Sequence, residues 1–368
     1  MLKLMILLAV SMCLAFCSQK GILVIPVARK FKIDIPLIVM IVMLSLFTGL
    51  RTQFNDTPLY IASFKEAPTF EKFLSKSPGL LDYPFFYGYE SLFRHHISAN
   101  PHLFLLSIAF FTNASFIVFI KKHSENFAFS MLMFFALGLY VSTMAAMKQC
   151  LAMAVLTYAV NMLIKKKYFW FYVLVFIAML FHAYAIFFVV LPFFTQKPWT
   201  IMTYVAIIGV LFVIFTFEST ITGFLEIAEE AGKEIKVEYV IDTQSINLFR
   251  VAVYSVPPII SFIFQELLNE SYDHKKHILM NMSILSFLIM CLGLVSAANL
   301  FGRSAIYFEL GTIVIMPWLV KQMFSEESQK TGHIIVGGCF AAYFAYSVID
   351  FSYGYRAIEF FDFLKTLV

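Results

Sequence analysis

Residues 168–194 read YFWFYVLVFIAMLFHAYAIFFVVLPFF, an apolar stretch in which His182 is the one ionisable side chain besides tyrosine. A single helical crossing of a bilayer needs about 20 apolar residues, so the stretch holds either one long span or two short ones meeting at the histidine. That choice sets the sidedness of everything after it. One span would carry Lys275 and Lys276 away from the earlier basic loops, against the positive-inside bias. A broken or re-entrant hairpin near residue 182 returns them to the same side. We therefore expect the hairpin, with Lys197, Lys275, Lys276, Lys321 and Lys330 joining Arg29, Lys30, Lys32, Lys121, Lys122 and the run Lys165, Lys166 and Lys167 at the cytoplasmic side.

Composition points the same way. The chain has 368 residues, 61% of them hydrophobic and 14% charged, with a mean hydropathy of +0.82. Soluble domains carry about 25% charged residues, so lipid is the main solvent here. Backbone groups facing lipid must be satisfied within their own segment, which makes long apolar runs helices. Such runs lie near 34–50, 102–120, 127–147, 149–164, 200–217, 248–266, 278–298, 304–320 and 333–350. With residues 4–17 and the hairpin they predict an all-α polytopic integral membrane protein of about 11–12 transmembrane helices. Residues 4–17 read better as a retained helix than as a cleaved leader, because Phe16 is too large beside Cys17 and Lys3 is the sole basic residue upstream. Residues 1–368 are expected to form one transmembrane domain, with external segments at 51–100 and 218–247.

The net charge of +4 sits in short loops and implies no nucleic-acid partner. Cys13, Cys17, Cys150, Cys291 and Cys339 all fall in apolar runs, with neither a disulfide nor a metal spacing. No metal or cofactor is expected. Nucleotide-binding and hydrolase motifs are also absent from the sequence, so the energy for a reaction must come from the substrate.

On the hairpin topology, five polar features converge on the outer side: the segment after Gly49, the Lys148 turn, the His182 turn, the Arg303 turn and the C-terminus. A lysine in the bilayer core costs at least about 2.5–3.5 kcal/mol, so Lys148 calls for an answering group such as a phosphate, or for snorkelling to the surface. Gln149 follows it. His182, among apolar and small neighbours, reads either as a base for a hydroxyl or as a structural hydrogen bonder. GLRTQFNDTPLY (49–60) offers Arg51 for a diphosphate, Asp56 as a base or a mere turn residue, and Tyr60. NLFGRSAIYFELGTIVIMP (299–317) places Arg303 and Tyr307 four residues apart on one helical face. Glu90 is a weaker candidate. The aromatic rings of 51–100 serve either as sugar platforms or as an interfacial belt, and Pro58, Pro68, Pro78 and Pro84 restrict that segment to short helices. The acidic 218–247 segment reads as an amphipathic helix, either a lid or a solvated connector.

Taken in order, GLRTQFNDTPLY, the Glu-Ser-Leu-Phe at Glu90, MKQCLAMA, the lysine cluster, Phe181-His182 and GRSAIYF before Pro317 resemble the EpsG family, the Wzy-like membrane polymerases of exopolysaccharide and capsule. Where that family carries arginine this chain has Lys148, and Asn55-Asp56 stands in place of a Gly-x-Asp. The resemblance implies a GT-C-like polymerase of the bacterial plasma (inner) membrane. It would join lipid-linked oligosaccharide repeat units at the outer face, with undecaprenyl diphosphate as leaving group and no cofactor. Arg51, Lys148 and Arg303 would neutralise the diphosphate, and Asp56 or His182 would activate the acceptor hydroxyl. Flippase and chain-length regulator proteins are the partners implied. A lipid-linked oligosaccharide flippase and a membrane-bound sugar O-acyltransferase are the alternative classes.

Overall fold

The computed structural model describes residues 2–28, 31–216, 222–223, 226–227, 230, 245–349 and 354–366. It is a helical bundle. Four straight helices have the length and apolarity of a membrane span: α1 (Leu2–Lys20), α6 (Pro101–His123), α9 (Met147–Ile164) and α14 (His274–Leu292). Two bent pairs behave as broken spans, α7 (Phe127–Ala136) with α8 (Leu139–Ala145) at 49° and α15 (Ala298–Ile306) with α16 (Glu309–Met323) at 57°. Shorter apolar helices fill the bundle: α2 (Ile35–Gly49), α10 (Tyr168–Phe181), a 3-10 helix Ala183–Phe194, α11 (Ile201–Phe215) and α12 (Leu248–Ile263). The chain is an all-α polytopic membrane protein, in which four described helices, or six spans when each bent pair counts as one, have the length and apolarity to cross a membrane.

Local chemistry sets the boundaries. Asp34 caps α2 by accepting the Leu37 N–H at 3.0 Å, Asn100 caps α6 through His102 at 2.9 Å, and Asn126 caps α7 through Phe129 at 3.1 Å. Each cap satisfies a donor that the first turn leaves orphaned. Gly138, at φ +87°, makes the left-handed step that bends α7 into α8. Helix α16 lies at the centre, with every residue from Glu309 to Val320 buried.

The expected hairpin is present. Helix α10 ends at His182, whose backbone is extended (φ −155°, ψ 117°), and the 3-10 helix then packs back on it, with Phe171 and Phe188 stacked at 6.1 Å between ring centroids. One end of the bundle consequently gathers the basic loops. Lys121 pairs with Asp34, Lys122 bonds Asn161, and Glu125 takes both Lys276 at 3.4 Å and Lys321 at 3.2 Å. A single long span at 168–194 would have parted Lys276 from Glu125.

Between α2 and α6 the chain forms short helices α3 (Thr57–Glu66), α4 (Phe70–Ser75) and α5 (Pro84–Leu92). Pro58 and Pro84 sit in the first turns of α3 and α5, where a missing N–H costs nothing. The aromatic residues do not form an outward belt alone. Phe64, Phe86, Phe93 and Phe104 make a compact cluster with Met147 and Leu151, so the segment caps the end of the bundle. Strand β3 (Arg51–Gln53) pairs antiparallel with β4 (Arg356–Ala357), tying the C-terminal segment to the Arg51 turn. A hairpin of β1 (Val24–Ala28) and β2 (Phe31–Asp34) precedes α2 at the basic end. Apart from residues 222–223, 226–227, 230 and 245–247, the 218–247 segment, including its expected amphipathic stripe, lies outside the described residues.

Candidate functional site

At the end opposite the basic loops, a cavity of about 180 Å³ is lined by Asp56, Tyr60, Tyr83, Ala146, Lys148, Gln149, His182 and Arg303. Residues far apart in sequence meet there because four chain breaks do: the turn before α3, the kink between α8 and α9, the corner after α10, and the short arm α15 of the second bent pair. Irregular backbone at membrane depth is tolerated only where it is buried in protein or lines a cavity. Here the breaks turn their polar residues onto a common space.

Lys148 stands in the first turn of α9 inside an aromatic cage. Its Nζ lies 4.4 Å from the Tyr87 ring centroid, 4.8 Å from Tyr83, 5.2 Å from Phe86 and 5.9 Å from Tyr60, and it donates to the Tyr87 hydroxyl at 2.7 Å. The negative faces of those rings stabilise the cation without neutralising it. Neither Lys148 nor Arg303 takes part in a salt bridge among the described residues. Gln149, almost fully buried, donates from Nε2 to the Arg303 carbonyl at 2.6 Å and so locks α9 to α15. Arg303 itself is exposed toward the cavity side.

His182 is 8% exposed and held from two directions. Its Nδ1 shares a hydrogen bond of 2.7 Å with the Tyr307 hydroxyl, and its ring stacks on Tyr83 at 5.4 Å. Tyr307 is therefore behind the histidine rather than in the cavity wall. Asp56 occupies the cap position of α3, yet its side chain makes no capping bond and it is exposed at the cavity. Its place in the turn fits the turn-residue reading, and its place at the cavity fits the reading as a base.

Besides Tyr307, two expected binding residues lie outside the cavity lining. Arg51 is 0% exposed, and its guanidinium donates to the Thr57 hydroxyl at 2.9 Å and to the Thr48 carbonyl. Those bonds brace the turn that presents Asp56. Glu90 is buried beneath the cap, accepting from Ser63 at 3.1 Å, and burial raises its carboxyl to about 7 despite the Ser63 bond and the nearby charges of Lys148 and Arg94. Tyr83 and Tyr87 were legible only as aromatic residues of the 51–100 segment; nothing in their spacing tied them to Lys148.

The arrangement can do specific chemistry. Two cations without a salt-bridged carboxylate among the described residues, a carboxylate and an imidazole border a small space beside aromatic rings, which suits a ligand that is anionic at one end and a polyol at the other. No curated protein and no solved structure matches the chain. A family model, described as the EpsG family, matches residues 34–362 and so takes in every residue of the cavity. The chain belongs to the EpsG family.

Proposed function

We propose that this protein polymerises lipid-linked oligosaccharide repeat units into an extracellular polysaccharide at the outer face of the plasma membrane. Membership of a family associated with exopolysaccharide polymerisation supports the reaction class, and the observation that carries the reading is the cavity uniting Asp56, Lys148, His182 and Arg303. In this reading the donor's diphosphate lies against Lys148 and Arg303. As the glycosidic bond breaks, the leaving diphosphate gains negative charge, and preorganised cations stabilise that charge more than the ground state. The aromatic cage surrounds Lys148 with ring faces rather than with a carboxylate of the described residues, which leaves its ammonium group available to a phosphate. Asp56 takes the proton of the acceptor hydroxyl. His182, fixed by Tyr307 and Tyr83, orients the sugar beside the breaking bond. The lipid itself provides the leaving group, so no nucleotide sugar enters.

The test is a gel profile of lipid-linked glycans from cells lacking this protein, complemented with wild type or Lys148→Ala, with inner-leaflet and outer-leaflet intermediates separated. Single repeat units accumulating outside, and chased into polymer by wild type alone, are the expected result. Accumulation on the cytoplasmic leaflet would replace the reading with a flippase, and normal polymer lacking acyl groups would replace it with an acyltransferase.

A further inference from the structure

The small cavity has a larger neighbour. A second cavity, of about 490 Å³, is lined by Phe54, Ser142, Asn247, Arg250, Tyr343 and Ser347 among others. No residue lines both, but the two cavities draw on neighbouring residues of the same two stretches of chain. Phe54 faces the larger space and Asp56 the smaller one, and these residues lie within about 7.6 Å of each other because consecutive Cα atoms are 3.8 Å apart. Ser142 and Ala146, one helical turn apart at the α8 end, divide in the same way.

Two differences in lining matter. Asp56, Lys148, His182 and Arg303 line the smaller cavity, whereas among the described residues the larger one has Arg250 as its charged lining residue, set among hydroxyls, an amide and aromatic rings. Arg250 lies over the Tyr254 ring at 5.7 Å, with the fully buried Glu309 within electrostatic range beneath. The Tyr343 and Tyr346 rings both abut Phe249 at 5.5 Å. A saccharide presents apolar C–H faces to rings and hydroxyl edges to donors, and sites for such ligands run from about 300 to 1,000 Å³. At about 180 Å³ the first cavity falls below that range and the second lies within it.

Resting on the polymerase reading, we propose that the larger cavity binds the acceptor glycan beside the turn that carries residues 54–56, so that a sugar hydroxyl reaches Asp56 at the turn's other side, with Arg250 gripping the outer hydroxyls. The donor diphosphate stays on the far wall of the small cavity.

The probe is the repeat-unit oligosaccharide released by mild acid from the cells' own lipid-linked intermediate, fluorescently tagged and titrated onto the protein in lipid nanodiscs, then offered as acceptor with the intact lipid-linked unit as donor. Arg250→Ala should weaken oligosaccharide binding about tenfold and raise the acceptor KM to match, with the donor KM unchanged. Ser347→Trp, which fills the space from an exposed position, should do the same if Arg250→Ala fails to fold. Arg303→Ala should leave oligosaccharide binding intact. Absence of binding or extension by the wild type, unchanged binding in both cavity variants, or a rise in donor KM in place of acceptor KM overturns the assignment. Binding that follows this pattern while the intact lipid-linked unit is never consumed leaves the saccharide site standing and removes the polymerase reading instead.

Discussion

The two ends of this bundle carry charge in opposite ways. At the basic end, Lys121 has Asp34, Lys276 and Lys321 share Glu125, and Lys122 has Asn161. At the other end Lys148 sits among aromatic faces and Arg303 is exposed at the cavity, and neither has a carboxylate bridge among the described residues. Paired surface charges contribute little energy and chiefly record sidedness. Cations round a cavity without a carboxylate partner among the described residues cost stability unless a ligand answers them, and the proposed diphosphate site rests on that asymmetry.

The sharpest way to break the comparison is to remove the unpaired cations. Lys148→Ala and Arg303→Ala should each cut polymer formation on the order of 10²–10³-fold, the usual loss when one preorganised charge partner is deleted, at unchanged membrane abundance. Polymer yield against immunoblotted protein reads this, and normal polymer from both variants would end the diphosphate assignment. Lys148→Arg should retain much of the activity, since charge is kept. Asp56→Asn should come next, with a loss of about 10²-fold or more in polymer yield, because the amide cannot accept the proton. Wild-type yield from that variant would return Asp56 to a turn residue.

A smaller effect comes from beneath the cap. Burial lifts the folded-state carboxyl of Glu90 to about 7, above its ordinary 4.5. The folded protein then binds more protons than the unfolded chain between those values, so this group's contribution is favourable below about 4.5 and is lost as pH rises through about 7. Glu90→Gln should therefore raise Tm in detergent at pH 8 and leave it nearly unchanged at pH 4.5. An equal shift at both pH values would show that Glu90 is not the titrating group. The smallest effect belongs to the paired end. Lys321→Ala should change polymer yield by less than about twofold and stability by at most about 1 kcal/mol, because an exposed ion pair is worth 0–1 kcal/mol. A large loss there would dissolve the contrast between the ends.

How much of this was legible beforehand differs by residue. His182 was readable as a breakpoint because an ionisable group in apolar sequence has no cheap position in lipid. Lys148, His182, Arg303 and Asp56 were readable as one outer group because the positive-inside bias constrains which loops share a side. Arg51 was not separable from them, since the sequence shows a cation beside a turn without showing that its donors are spent on Thr48 and Thr57. Tyr307 fell on the right face of the right helix, yet stands behind His182 instead of in the cavity wall.

By itself the sequence determined the solvent, the helical class, which basic loops share an end and the hairpin. Each of these follows from transfer energies and charge bias, which are properties of segments taken one at a time. The tertiary structure alone decided that the aromatic segment folds inward to cage Lys148, that α9 and α15 are latched through Gln149, and that a second cavity draws on the same turn, residues 54–56, as the first. Those depend on which helix faces meet, and close packing of side chains from distant segments settles that only when the whole bundle is assembled.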